Sequence, residues 1–179
     1  WRAQEQEGWI SQPAIECVAK ILKMAPIRVF EIASFYFMFH LSPVGSVAHI
    51  QVCGTTPCML RNSEEIINLC KEHISSKAHS LSDDGKFSWE EVECLGACAN
   101  APVCQIGKDY YEDLSKDSFL EILDELVLGR VPKPGSKIKR FASEPKGGLT
   151  SLKGKKENKL NASVARAVKL KDTIKRIEE

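Results

Sequence analysis

The sequence predicts an α/β fold carried on one central domain, and three observations predict it. Residues 47–52 and 87–93 have the length and apolar content of strands, and segments 62–74 and 117–128 carry apolar side chains at helical spacing. The third is a change of character along the chain: a helical, aromatic-rich start, a cysteine-bearing middle, and a basic end punctuated by Pro and Gly. We divide it into an N-terminal helical segment (1–43), an α/β domain (44–130), and an extended basic tail with a possible terminal helix (131–179). A chain of 179 residues buries one good core with a smaller attachment, not two large ones.

The elements follow in order. Ser11 has the chemistry of an N-cap, with Ile10 and Ile15 spaced as a hydrophobic staple across it. Ile15, Val18, Ala19 and Leu22 then trace one face of a helix ending near Met24. Pro26 opens a second helix to about Phe37, whose aromatic residues Phe30, Tyr36 and Phe37, with nearby Phe39, predict burial between elements. Alternation in Val-Ala-His-Ile-Gln-Val puts Ala48, Ile50 and Val52 on one face of the first strand. Leu60, Ile67, Cys70 and Ile74 mark one side of the helix over 62–74. A second strand spans 87–93 and a third 103–106, with Gly107-Lys108-Asp109 as a hairpin turn. The last domain helix, 117–128, presents Phe119, Ile122, Leu123 and Leu126. Folding is expected to end near Gly129, with Val164, Val168, Ile174 and Ile177 hinting at a final basic helix.

An apolar fraction of 43% against 27% charged residues belongs to a globular protein, not to a disordered or membrane-embedded one. No apolar run approaches the roughly 18 residues of a membrane-spanning helix. The greasiest stretch, 27–41, is interrupted by Arg28, Glu31 and His40 and reads as buried helix. No signal peptide or lipidation motif opens the sequence, and Trp at position 1 reads as a trimmed chain. The formal charge of +1 hides an asymmetry. Residues 1–129 hold 10 basic against 19 acidic side chains, and residues 130–179 hold 15 against 5. Such a tail serves an acidic surface or is a solvated extension; the sequence leaves both open.

Of seven cysteines, Cys53 and Cys58 follow the first strand, and Cys94 and Cys98 follow the second. Loops at the ends of strands joined in one sheet bring four thiolates around one point, an inorganic ligand shell. A disulfide scaffold would be smaller and denser in cysteine, without an odd thiol. Structural zinc prefers two-residue gaps within each Cys pair. Gaps of four and three residues suit the wider iron–sulfur cluster better, and zinc stays open as the alternative. Gly54, Thr55 and Thr56 can donate backbone N–H groups to an anionic cluster, with the N-terminus of the following helix beside them. Gly96, Ala97 and Ala99 keep the second loop slim. Cys17, Cys70 and Cys104 read as small packing residues. The histidines share no spacing with the cysteines, which sets aside a Rieske centre.

The stretches HIQVCGTTPCMLRNSEEI, EVECLGACANAPVCQI and DYYEDL, with GWISQPAIECVAKIL and PIRVFEIASFYFMF, resemble the 24 kDa (NuoE-type) subunits of respiratory NADH:quinone oxidoreductase, complex I. The likeness covers roughly residues 8–150 and all four cysteines at matching spacing. It implies a thioredoxin-like ferredoxin domain preceded by a helical segment, with one two-iron two-sulfur (2Fe-2S) cluster ligated by Cys53, Cys58, Cys94 and Cys98. It also implies a partner flavoprotein of the 51 kDa type that binds NADH and FMN and exchanges one electron with the cluster, among further peripheral-arm subunits. Neither nucleic acid nor direct membrane insertion is expected. The site of action would be the cytoplasmic side of a bacterial inner membrane, or the matrix side in a mitochondrion. The same domain occurs in diaphorase subunits of NAD-linked hydrogenases and formate dehydrogenases, an alternative the resemblance carries with it. A zinc-bound thioredoxin-like binding module is the remaining one. The chain has no glycine-rich dinucleotide fingerprint and no acid–base pair, so it is expected to relay electrons without transferring hydride itself. An all-cysteine shell predicts a potential on the order of −400 mV, which Glu93 would depress further.

Overall fold

The computed structural model describes residues 1–151 and 160–171. Three helices open the chain: α1 (Arg2–Glu7), α2 (Gln12–Leu22) and α3 (Pro26–Phe35). The Ser11 hydroxyl accepts from the Ala14 N–H, so the expected cap is present, and Pro26 sits in the first turn of α3, where its missing N–H costs nothing. Helix α1 carries no amphipathic signal. Buried Gln4 holds it down by donating from Nε2 to the Met38 carbonyl (2.8 Å) and accepting at Oε1 from the His40 N–H (2.8 Å).

The domain that follows contains β1 (Ala48–Cys53), a single turn α4 (Thr56–Met59), α5 (Ser63–His73), β2 (Phe87–Val92), β3 (Cys104–Ile106), β4 (Asp109–Glu112) and α6 (Lys116–Val127). A two-residue strand, β5 (Gly135–Ser136), completes a five-stranded sheet in the order β2-β1-β3-β4-β5. Strand β1 pairs parallel to β2, with Cys53 opposite Val92, and antiparallel to β3. The β3/β4 hairpin is antiparallel and β4 pairs parallel to β5.

Alternation decides what each sheet face meets. Ala48, Ile50 and Val52 of β1, with Phe87 and Trp89 of β2, Ile106 and Tyr111, form the main core with the apolar stripes of α5 and α6. All four residues predicted for α6, Phe119, Ile122, Leu123 and Leu126, are buried there. The opposite face of β1 and β2 carries His49, Gln51, Ser88 and Glu90, over which the loop containing His40 and Gly45 lies. Gly45 is required at that crossing. A Cβ there would stand 2.5 Å from the Ala48 carbonyl, the Lys86 carbonyl and the Phe87 Cα.

Three expectations are corrected. The stretch 27–41 is not buried: Phe35 and Phe37 are 73% and 90% exposed, and Ile27, Phe30, Ile32 and Tyr36 are also open, because α2 and α3 pack on each other, burying Ile15, Ala19 and Ala33, and among the described residues no further layer covers them. Leu60 lies off the α5 stripe on the surface, since the long helix starts only at Ser63. Folding also continues past Gly129. Pro132 is buried and its carbonyl accepts from the Tyr111 hydroxyl (3.1 Å), β5 follows, and Arg140 returns to the domain with a two-pronged grip on Asp113 at 2.8 and 3.0 Å. Beyond it, α7 (Ala162–Leu170) is capped by Asn161 and rests Val164 against Gly135. The predicted last helix is present in that span, while Ile174 and Ile177 lie outside the described residues.

The Arg140–Asp113 pair is largely shielded from water, with side chains 11% and 6% exposed. Removing one partner strands the other, so Asp113→Ala is expected to cost about 3–5 kcal/mol in urea unfolding. Glu31→Ala, at the open Arg28 pair, should cost less than about 1 kcal/mol.

Candidate metal centre

Cys53 is the last residue of β1, and Cys58 lies in α4 five positions later; both are buried. Cys94 and Cys98 lie in the loop after β2, Cys98 opening a short 3-10 turn to Asn100, and both are exposed. The strand ends are stitched together. The Cys53 N–H donates to the Val103 carbonyl (3.1 Å) and the Gly54 N–H to the Val92 carbonyl (3.0 Å). A small apolar patch of Cys53, Cys58, Ala101 and Val103 lies beneath, with Leu95, Ala97 and Tyr110 packed on it.

The thiols fall in two pairs. The Cys94 and Cys98 sulfurs are 3.3 Å apart, and buried Cys53 and Cys58 are near enough for each to shift the other's ionisation. Charge interactions link Cys53 to Cys94 and Cys98, and Cys58 to Cys98, so the four predicted residues are brought to one locus. Among the described residues they are not a group crowded within 4.8 Å of one another, the compact arrangement ligands of a single ion take.

Electrostatics at the four sulfurs is uneven. Burial pushes the Cys53 thiol up, but the Thr55 hydroxyl (3.3 Å) and the N–H groups of Thr55 and Leu95 outweigh it, and its pKa falls below the ordinary value. Burial, then the Cys53 partner, push Cys58 up to about 12, although the Val103 N–H opposes them. In the outer pair the Gly96 N–H (3.4 Å) and the Cys98 thiol lower Cys94, while Cys94 in turn raises Cys98. These N–H groups would compensate the charge of thiolate ligands.

The first loop differs from the sequence reading. Gly54 does not offer its N–H, which is committed to Val92, and a Cβ there would collide with the Glu91 side chain at 1.8 Å. Helix α4 is one turn long, so individual N–H groups replace the expected helix terminus. Thr55 donates as anticipated, and in the second loop Gly96, expected only to keep the loop slim, donates to Cys94. Sequence reasoning missed Leu95 and Val103, whose donors are backbone and leave no residue-type signal. It also missed Tyr110, whose hydroxyl holds the Leu95 carbonyl (2.9 Å), and Arg140, which holds the Ala99 carbonyl (2.6 Å) from 41 positions away. Cys70 and Cys104 are fully buried as predicted, both with thiols raised by burial, whereas Cys17 is exposed on α2.

A mixed five-stranded sheet, helices on one face, and four paired thiols at one end of it define an α/β ferredoxin. The sequence model of the family described as thioredoxin-like [2Fe-2S] ferredoxin matches residues 1–127, and the chain belongs to that family. With the family comes its 2Fe-2S cofactor, and the donor set fits it: four thiols, two by two, each pair with N–H groups directed at sulfur. The chain is similar to an NADH-quinone oxidoreductase subunit of Rhizobium meliloti (strain 1021), with 51% identity over 173 residues, 96% of this chain and 62% of the relative. It is 54% identical over 125 residues to the corresponding NADH-quinone oxidoreductase subunit of Rickettsia bellii (strain RML369-C), covering 69% of this chain and 74% of that one. These relatives bear out the resemblance to the 24 kDa subunits. In structure it is similar to an NAD+-reducing [NiFe]-hydrogenase in the H2-reduced state, with a TM-score of 0.60 at 15% identity over 68% of this chain and 20% of that one, a likeness of fold. Among the described residues no helix is long and apolar enough to cross a membrane.

The order of thiol ionisation is testable on cluster-free chain. As pH rises, Cys94 deprotonates below the ordinary cysteine range, and Cys58 stays protonated until about 12. Iodoacetamide at about pH 7.5 should therefore label Cys94 well before Cys58, Cys70 or Cys104, as peptide mass spectrometry would record.

Proposed function

We propose that this chain is the iron–sulfur electron-transfer subunit of an NADH:quinone oxidoreductase, with Cys53, Cys58, Cys94 and Cys98 as the residues that would hold the 2Fe-2S cluster. The observation that carries it is the meeting of two thiol pairs at one sheet end, each with N–H donors. Bound there, the cluster supplies one-electron chemistry, the complement of a flavin that collects two electrons from NADH.

The chain's own residues shape that chemistry. N–H groups of Thr55, Leu95, Val103 and Gly96 stabilise negative charge at the sulfurs, which favours the reduced state. Cys53 and Cys58 are buried, whereas Cys94 and Cys98 face outward, so a donor approaches from the side of the second loop. Tyr110 and Arg140 hold that loop at Leu95 and Ala99, limiting its movement between oxidation states.

The partner is a flavoprotein of the 51 kDa type carrying FMN and NADH, within a peripheral arm that lies on the cytoplasmic or matrix side of its membrane. The exposed apolar side chains of α2 and α3, among them Ile21, Ile27, Phe35 and Phe37, support a large protein contact. The hydrogenase likeness rests on fold, while relatives at 51% and 54% identity favour the respiratory complex.

Serine in place of any one of the four cysteines is expected to remove or destabilise the cluster, seen as loss of bound iron, of the visible absorption and of the electron paramagnetic resonance signal after dithionite. Cys17→Ser and Cys104→Ala should keep all three. Full iron and an unaltered signal in both Cys53→Ser and Cys94→Ser would overturn the assignment.

A further inference from the structure

Three of the chain's four histidines converge on one carboxylate. On the polar face of β1 and β2, His49 Nε2 lies 3.1 Å from Glu90 Oε1, and His40 Nδ1 reaches the same oxygen at 4.0 Å. His79 Nδ1 stands 3.4 Å from Oε2. The ligand atoms of His40, His49 and Glu90 all lie within 4.8 Å of one another, the group among the described residues with the geometry to hold one ion. The His40 and His49 rings meet edge to face, with centroids 4.5 Å apart.

We propose that His40, His49 and Glu90 form a second metal site that takes Zn2+ and pins the N-terminal helical unit to the sheet, with His79 beside it on the other carboxylate oxygen. Imidazole nitrogens with a single carboxylate suit zinc, whereas calcium and magnesium demand oxygen shells. Two ligands at about 2.0–2.1 Å from a tetrahedral ion stand about 3.3 Å apart. The His49 contact with Glu90 Oε1, at 3.1 Å, is already close to that span, and His40, at 4.0 Å from the same oxygen, needs to close by about 0.7 Å; His79 stands on Oε2, outside the three-residue group.

The surroundings are those of a built site. Zinc at His49 Nε2 requires the proton on Nδ1, and the Ser88 hydroxyl lies there at 2.7 Å, itself fixed by the Gly45 N–H at 2.8 Å. Gln51 donates to Glu90 Oε1 at 2.7 Å and orients the carboxylate. An entry path exists, because all four residues line one open cleft of about 1640 Å³. The elements joined are distinct: His40 ends the segment tied to α1 by Gln4, His49 and Glu90 belong to the sheet, and His79 lies on the connection from α5 to β2.

The test uses the full chain with its iron–sulfur cluster in place. Zn2+ is titrated against a chromophoric chelator while zinc and iron are counted on the same sample, and Co2+ serves as an optical probe. One zinc per chain with iron unchanged, tetrahedral Co2+ bands without thiolate charge transfer, and loss of binding in both His49→Gln and His40→Gln would support the site. Ser88→Ala, which removes only the support behind His49, should weaken binding about 10-fold. Circular dichroism checks the fold of each variant, and the cobalt spectrum of the unaltered chain decides the matter if a variant fails to fold. Zinc taken up only as iron is lost, thiolate charge transfer in the cobalt spectrum, no binding below millimolar, or unchanged affinity in folded His49→Gln would each overturn it.

Discussion

The parallel pairing of β1 with β2 is the constraint on which everything else depends. Parallel neighbours end at the same edge of a sheet, so the loops that leave Cys53 and Val92 start side by side. Had the two strands run antiparallel, the thiol pairs would stand at opposite ends. The crossover between them is α5, whose apolar side seals the face of the sheet that the strands turn inward. The connection that makes the core is therefore the connection that assembles the thiols.

The two faces of that sheet do different work. One is dry and holds the helices; the other is polar, and its buried groups are matched by partners from far along the chain, as at Gly45 with Ser88 and Gln4 with the 38–40 segment. Each buried polar group left without such a partner would cost about 1–3 kcal/mol. This is why the N-terminal unit is held by hydrogen bonds over the sheet while its apolar helix surface stays outside.

The segment after α6 acts as a strap. It adds β5, accepts from Tyr111, and ends with Arg140 distributed between Asp113 and the Ala99 and Glu144 carbonyls. Guanidinium suits this position because its planar fork serves a carboxylate and two carbonyls at once. Through Ala99 the strap reaches the residue next to Cys98, so the outer thiol pair is steadied by a part of the chain whose composition resembles a linker.

By itself the sequence determined the periodic elements and the four cysteines: β1, β2, α5 and α6 follow from spacing of apolar side chains, and cysteine gaps of four and three residues are local facts. It also announced the family, since motifs around metal ligands are contiguous in the chain. Only tertiary structure decided the rest. Which N–H groups face sulfur depends on where Val92 and Val103 lie against β1, and residue type carries no trace of that. Exposure of Phe35 and Phe37 was invisible because apolar periodicity reports a face to be covered without saying by what. The meeting of His40, His49, His79 and Glu90 joins four separate segments on one face of the sheet, a distance relation that no spacing rule encodes.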